Sequence, residues 1–447
     1  MMLQTLKKLS FNKNFFTYTI FIKSLVAIFA IGLFTVNSKA SDISNNKSKS
    51  LLLKPIKVLD DEQYDKFILG RSFFTIPWVE APSATTARDG LGPLFNANTC
   101  ISCHPANGRG NLFNKKDHFS RSIVAKPSYD PIYGSQIAIN SNHGVKFEAK
   151  PNIKFKEIKV KFPDGEIATL LKPNYALKDM QYGPLHKDTI LSFRIAPSLN
   201  GLGLISQISD EDILKNVDEF DKDRDGISGR ANYVYSPITK KQELGRFSWK
   251  ANISTLKHQV ADAANNDLGL TTTYYPNDTC TQFQKMCNEA PKARDAIDLT
   301  EQRLEAITFY LEKRKTYSAK LDDNNEGYQL FKSIGCVKCH MDSFETALGT
   351  KIAPFSDILL HDMGEGLADG KQEYKASGRE WRTAPLWGLS LHEKINGKSP
   401  RLLHDGRART FQEAILWHGG EALKSKELYM NLKKEDREKL LKFLKEV

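Results

Sequence analysis

The pentapeptide C-x-x-C-H occurs twice, as Cys100-Ile-Ser-Cys103-His104 and as Cys336-Val-Lys-Cys339-His340, and the two copies use four of the six cysteines. Two thiols held one helical turn apart are placed to add to the two vinyl groups of one porphyrin, and the adjacent imidazole then ligates the iron. A thioredoxin-like pair needs no trailing histidine, and a zinc site wants a second ligand pair nearby. The motifs therefore predict two covalently attached c-type haems, with Cys100, Cys103, Cys336 and Cys339 as thioether positions and His104 and His340 as iron ligands. Such a chain has to fold around two large apolar discs.

The N-terminus indicates where that happens. Lys7, Lys8, Lys13 and Lys23 precede an apolar run from Leu25 to Val36, and Ser38-Lys39-Ala40 supplies small residues where a signal peptidase reads. Residues 1–40 are therefore expected to be a cleaved signal peptide; the alternative is an uncleaved anchor, for which the apolar core is short. Export to the periplasm suits c-type attachment, and in that oxidising compartment Cys280 and Cys287 read as a disulfide, with a reactive pair as the alternative. The formal charge of +11 includes five lysines of the leader, which leaves +6 on the mature chain, and haem propionates would offset most of that. The lysines are scattered and no nucleic-acid-binding motif accompanies them. No nucleic-acid partner and no stable membrane span are expected, and the surplus charge suits an acidic electron-transfer partner.

Periodicity divides the chain around the two motifs. Glu326 to Ile334 puts apolar groups at helical spacing just before Cys336, and Leu440, Leu441, Phe443, Leu444 and Val447 form one face of a closing helix. Helix, haem motif, loop and closing helix are the plan of a cytochrome c domain. An earlier, longer copy runs from Tyr64, Phe67 and Ile68 to Leu304, Ile307 and Leu311. The expectation is a mainly α protein with an N-terminal haem domain over 41–320 and a C-terminal one over 321–447. The first must hold insertions, one of them β: Val145–Lys150, Phe155–Phe162 and Glu166–Leu171 alternate or run apolar, with Pro163-Asp164-Gly165 as a hairpin turn.

Within the insertion, Asp221, Asp223 and Asp225 stand on alternate residues before Gly226, the first half of an EF-hand calcium loop. The twelfth position, where a bidentate glutamate belongs, is Asn232. Calcium completed by other oxygens is one reading; a turn whose aspartates cap neighbouring amides is the other.

Several longer stretches carry a resemblance. They are Gly90-Leu-Gly-Pro-Leu-Phe95, Arg194-Ile-Ala-Pro197 to Gly203, Gly245-Arg246-Phe-Ser-Trp249-Lys250, Leu359 to Gly370, Glu380-Trp381-Arg382 to Gly388, and His404-Asp405-Gly406-Arg407-Ala408 followed by His418-Gly419-Gly420-Glu421. From about Gly90 to the C-terminus the chain resembles the di-haem oxidoreductases labelled thiol oxidoreductases, a branch of the bacterial di-haem cytochrome c peroxidase superfamily.

That resemblance implies two haems with divided labour: one six-coordinate and taking electrons from a small cytochrome c or similar carrier, the other opening a position for peroxide. The segment His404 to Ala408 is similar to the peroxidases' Trp-Asp-Gly-Arg-Ala, with His404 in place of the tryptophan. Glu421 falls where their acidic residue follows, and the assisting glutamine's position is Ala414. The resemblance thus implies Glu421 as acid/base, with a helix-end or ion-pair role as the alternative, and brings Arg407, His404 and His418 into the catalytic set. Met363, 23 residues after His340, is a candidate sixth ligand that would raise a haem's potential; a core methionine is the alternative. His361, His404 and His418 are further ligand or proton-relay candidates. For the first haem His118, His143, Met180, His186 and His258 all remain open, and Trp249, Trp381 and Trp387 are candidates to stand between the haems. The activity this implies is peroxide reduction; a non-catalytic di-haem electron shuttle and a periplasmic iron or thiol oxidoreductase are the rivals.

Overall fold

Two helix crossings organise the chain, and each depends on a glycine. A computed structural model describes residues 51–113, 119–318, 320–396 and 401–447; the expected leader and His118 lie outside the described residues. The helix Asp61–Thr75 begins where the Asp60 carboxylate accepts a 2.8 Å hydrogen bond from the Gln63 amide, with Asp61 and Glu62 complementing its positive end. Phe67, Gly70, Phe73 and Phe74 form its buried face, which crosses the helix Glu301–Glu312. A β-carbon on Gly70 would stand 1.8 Å from the Ala306 carbonyl oxygen, so any other residue would push the helices apart. Tyr310 fills the crossing, its ring 5.0 Å from that of Phe67 and 5.4 Å from that of Phe74.

The second crossing repeats the first. Asn325 caps the helix Glu326–Ser333 by accepting from the Tyr328 amide at 3.1 Å, and this helix lies across Lys434–Leu444. A β-carbon on Gly327 would be 2.3 Å from the Lys439 carbonyl oxygen. Phe443 seals this crossing, with ring centroids 5.3 Å from Tyr328 and 5.5 Å from Phe331.

The chain is not mainly α, which corrects the expectation from periodicity. Helix accounts for 29% and strand for 19%, and the described residues hold seven two-stranded sheets. The longest is an antiparallel hairpin of Lys150–Lys161 and Ile167–Lys178, twelve residues each, registered from Lys150 opposite Lys178 to Lys161 opposite Ile167. Gly165, at φ +93°, turns it. Val145–Ala149, expected as strand, is irregular, and the real strands run further than the alternation suggested because their lysine-rich parts are exposed. Other pairs are short: Ile123–Pro127 with Leu191–Ile195, and Leu360–Asp362 with Glu380–Arg382. They satisfy backbone groups of long connections, and a three-residue strand has no period to read.

Among the described residues two large apolar clusters result, beside three small ones. Phe67, Phe74, Ile307 and Tyr310 belong to one; Phe331, Phe355, Leu440 and Phe443 to the other. Each also draws residues from across position 320: Ile358 and Trp387 join the first, Phe193 and Trp249 the second. The structure joins Cys280 to Cys287, whose Cα atoms are 5.8 Å apart. No helix among the described residues is long and apolar enough to cross a membrane.

Candidate functional site

Each C-x-x-C-H segment lines its own cavity. The first, about 240 Å³, receives Cys100, Cys103 and His104; the second, about 200 Å³, receives Cys336, Cys339 and His340. Thr99 starts the helical turn Cys100–Cys103 by accepting from the Ser102 amide at 3.2 Å. His104 Nδ1 lies 2.9 Å from the Pro197 carbonyl oxygen, and His340 Nδ1 lies 2.9 Å from that of Phe355. A carbonyl only accepts, so Nδ1 carries the proton in both rings and Nε2 keeps the lone pair that an iron ligand needs. Burial brings both rings down to about 4, which keeps them neutral, and pushes the Cys100 and Cys336 thiols up to about 12. Two sulfurs and one neutral imidazole on the wall of an apolar cavity are the donor set of haem c, present twice; the residues fit the group.

One wall serves both cavities. Arg109, Trp249, Arg382, Ala384, Pro385 and Leu389 line each of them. Trp249 is oriented by a 2.8 Å hydrogen bond from Nε1 to the Ile195 carbonyl, and the Arg109 guanidinium lies over its ring at 5.1 Å. Trp387 lines the first cavity and Trp381 the second, so Trp249 is the tryptophan common to both. Behind this wall a buried ion network is closed: Asp369 pairs with Lys250 at 3.0 Å and Arg194 at 3.1 Å, and Arg194 also holds Glu373 at 2.9 Å. Burial opposes the Glu373 charge, yet Arg194 and Lys371 hold it down to about 2. Arg194 and Lys250 both face the Trp381 ring, at 5.4 and 4.5 Å, which fixes that indole in place.

Among the residues expected from sequence at the second cavity, His361, Met363, His404 and His418 line it, while Glu421 and Arg407 do not. Glu421 is fully engaged. Its Oε1 accepts from Ser228 Oγ at 2.7 Å and the Asp362 amide at 2.9 Å, and its Oε2 from the Ser228 amide at 3.0 Å and His361 Nδ1 at 2.7 Å. Against the effect of burial, the His361 hydrogen bond and charge hold Glu421 down to about 2, so it has little capacity to accept a proton near neutral pH. Arg407 pairs with Asp405 at 2.6 Å and lies over the Trp417 ring at 4.7 Å. His404 stacks on Trp381 with centroids 3.7 Å apart, and burial lowers it to about 3. His418 gives Nδ1 to the Ala414 carbonyl at 2.7 Å.

The first cavity has polar residues that the sequence reading did not single out. On the helix Leu256–Leu268, Gln259, Asp262 and Asn266 line it, at the i, i+3, i+7 spacing of one helical face. Asp267 lines it too, and burial raises the carboxyls of both Asp262 and Asp267. His143, Met180, His186 and His258 are not among the lining residues; His258 instead meets Tyr275 at 3.0 Å. His392, buried on the helix Leu389–Asn396, does line it. A polar stripe on an otherwise buried helix was the signal that could have found Asp262.

The aspartate loop folds differently from an EF-hand. Asp218 joins Asp221 and Asp223 in a group whose oxygens lie within 4.8 Å of one another, whereas Asp225 pairs with Lys338 at 2.7 Å. Asn232 is buried and bonds the Lys250 carbonyl at 2.8 Å, away from that group.

No protein of curated function matches the chain in sequence. Among solved structures, a xenon-pressurised hydrazine synthase from Kuenenia stuttgartiensis aligns over 90% of this chain and 92% of its own, with 12% identity and a TM-score of 0.36. The family model described as "Di-haem oxidoreductase, putative peroxidase" matches residues 137–447, well over half of the sequence, and the chain belongs to this di-haem oxidoreductase family.

Proposed function

We propose that this protein is a periplasmic, peroxidase-like enzyme that reduces peroxide with electrons from a small acidic carrier. The observation that carries the reading is a pair of C-x-x-C-H cavities sharing Trp249, with carboxylates lining the first cavity and, among the described residues, none lining the second. Each motif would hold haem c through its two sulfurs and histidine Nε2, and haem when bound supplies a site for peroxide and a store for electrons. Reducing peroxide to two waters takes two electrons and two protons. The chain's own part is the protons: Asp262 Oδ1 accepts from the Asn266 amide group at 3.0 Å, and burial raises the carboxyl, so Oδ2 can hold a proton and deliver it to the departing oxygen. Gln259 faces the same cavity one turn earlier and can orient the substrate.

An acidic carrier is supported by the long hairpin. Lys154, Lys156, Lys172 and Lys178 share one face and are exposed, and Lys156 stands directly opposite Lys172. Like charges opposed across a strand pair are destabilising, and none of the four has an ion pair among the described residues. An acidic partner would offset that repulsion. The other face of the hairpin carries Tyr175, which donates to Asp405 next to His404 of the second cavity, so a carrier docked here would lie over the second haem. Export by residues 1–40, and a calcium ion held by Asp218, Asp221 and Asp223, complete the reading; calcium titration that raised the melting temperature would support the latter.

The deciding experiment is peroxide consumption by the holoprotein after partial reduction, with absorption and EPR spectra alongside. Turnover with one exchangeable haem is expected. Two permanently low-spin haems and no turnover would make the protein an electron shuttle.

A further inference from the structure

We infer that His418 is the second axial ligand of the haem held by His340, in preference to Met363. The inference rests on the reading of Cys336–His340 as a haem attachment segment. Three histidines share one arrangement: His104, His340 and His418 each place Nδ1 within 2.9 Å of a backbone carbonyl oxygen, and each lines a haem-sized cavity. In His418 the partner is the Ala414 carbonyl, one turn back, at the end of the helix Phe411–Trp417. That bond fixes the tautomer with the lone pair on Nε2, and Nε2 has no partner among the described residues.

The other donors on this cavity are spent or turned away. His361 gives both ring nitrogens to carboxylates, Nδ1 to Glu421 and Nε2 to Asp357, each at 2.7 Å. His404 lies flat on Trp381, 9° from parallel, with Nε2 directed to Asp405 at 3.7 Å. Among the cavity's imidazole and thioether donors that leaves His418 and Met363, which the backbone places side by side. A β-carbon on Gly420 would stand 2.1 Å from the Asp362 carbonyl oxygen, and one on Gly419 would stand 3.1 Å from that of Met363. The two segments are thus in direct contact, and both residues line the cavity. Met363 is a thioether on a chain with three rotatable bonds, to be ordered at binding. The imidazole of His418 is already ordered, so it loses less on ligation and is the better donor to ferric iron.

Two imidazoles on one iron give a low-spin centre with a lower potential than a histidine–methionine pair. The test uses the holoprotein, with haem content measured first by pyridine haemochrome: fewer than two haems in the wild type would remove the haem reading itself, independently of this inference. With two haems present, His418→Gly should convert one low-spin EPR signal to high-spin, and added imidazole should restore it. Met363→Leu should leave both the spectrum and the potentials unchanged. A low-spin signal that survives His418→Gly, or one that disappears in Met363→Leu, overturns the assignment. Should His418→Gly yield no holoprotein, His418→Met supplies the reading instead: a rise in one haem's potential with a new sulfur-to-iron charge-transfer band is expected, and an unchanged potential overturns the assignment.

Discussion

Glu421 accepts a 2.7 Å hydrogen bond from Nδ1 of His361, and this bond changes what the carboxylate can do. With Asp357 on the other ring nitrogen, His361 is an imidazolium clasped by two carboxylates beside the Cys339 sulfur, 3.7 Å from Nδ1. Glu421 is therefore expected to position the loop that carries Cys339 rather than to move protons. Glu421→Gln should keep peroxide turnover within about threefold of wild type, since no proton acceptor at the substrate is removed. It should also destabilise the holoprotein by about 3 kcal/mol, the cost of leaving a buried charge short of a partner. Thermal melts and initial rates on one preparation check both halves.

The same pair fixes a pH window. Glu421 is held down to about 2 from an ordinary 4.5, so its contribution is present above 4.5 and is lost as pH falls from 4.5 towards 2. His361 is raised well above its ordinary 6.5, against the effect of burial, by Asp357 first among its partners. Its contribution is full below 6.5 and is lost as pH rises through the folded value. The pair alone thus favours the interval between 4.5 and 6.5. Melting temperatures should decline below that range, and Glu421→Gln should make the acid decline shallower without abolishing it, because Glu373 and Asp405 are also held at about 2.

Some of this was legible in the residues alone, and the division is physical. The two C-x-x-C-H segments could be read because their chemistry is set by spacing within five residues. The helices at Gly327 and Phe443 could be read because a buried helix face has a period. What could not be read is set by partners distant in sequence: His104 finds its carbonyl at Pro197, 93 residues on, and Glu421 finds His361, 60 residues back. Similarity of a local segment pointed to Glu421 as an acid/base, but the group that decides its protonation is elsewhere in the chain. The mixed α and β character was missed for a related reason, since Leu360–Asp362 pairs with Glu380–Arg382 over too few residues for alternation to register.

Asp262 is the residue on which proton delivery is expected to depend. Asp262→Asn preserves the shape and the Asn266 contact but cannot donate from a carboxyl. Peroxide turnover should fall about 100-fold with two haems still bound. The pH profile separates this from a structural role: burial raises the Asp262 carboxyl, so the wild-type rate should fall on the alkaline side of that raised value as the proton is lost. The variant's residual rate should lack that limb. An unchanged profile would place proton delivery on Asp267, the other raised carboxyl on this cavity.

Lys156 and Lys172 allow docking and folding to be told apart, because the two demands have opposite signs. They stand directly opposite in the hairpin register, so Lys156→Glu turns a repulsive pair into an attractive one and should stabilise the hairpin by about 0.5 kcal/mol. If the exposed lysine face receives an acidic carrier, the same change should weaken that encounter, raising the carrier's KM about tenfold at low ionic strength while kcat holds. The effect should shrink as salt approaches about 1 M, where the Debye length falls to roughly 3 Å. A small uncharged reductant, which needs no docking surface, should be oxidised at the wild-type rate. A variant that is more stable, slower with the acidic carrier and normal with the uncharged donor would mean that the opposed lysines are kept for the partner; an unchanged carrier KM would move the docking surface off this hairpin.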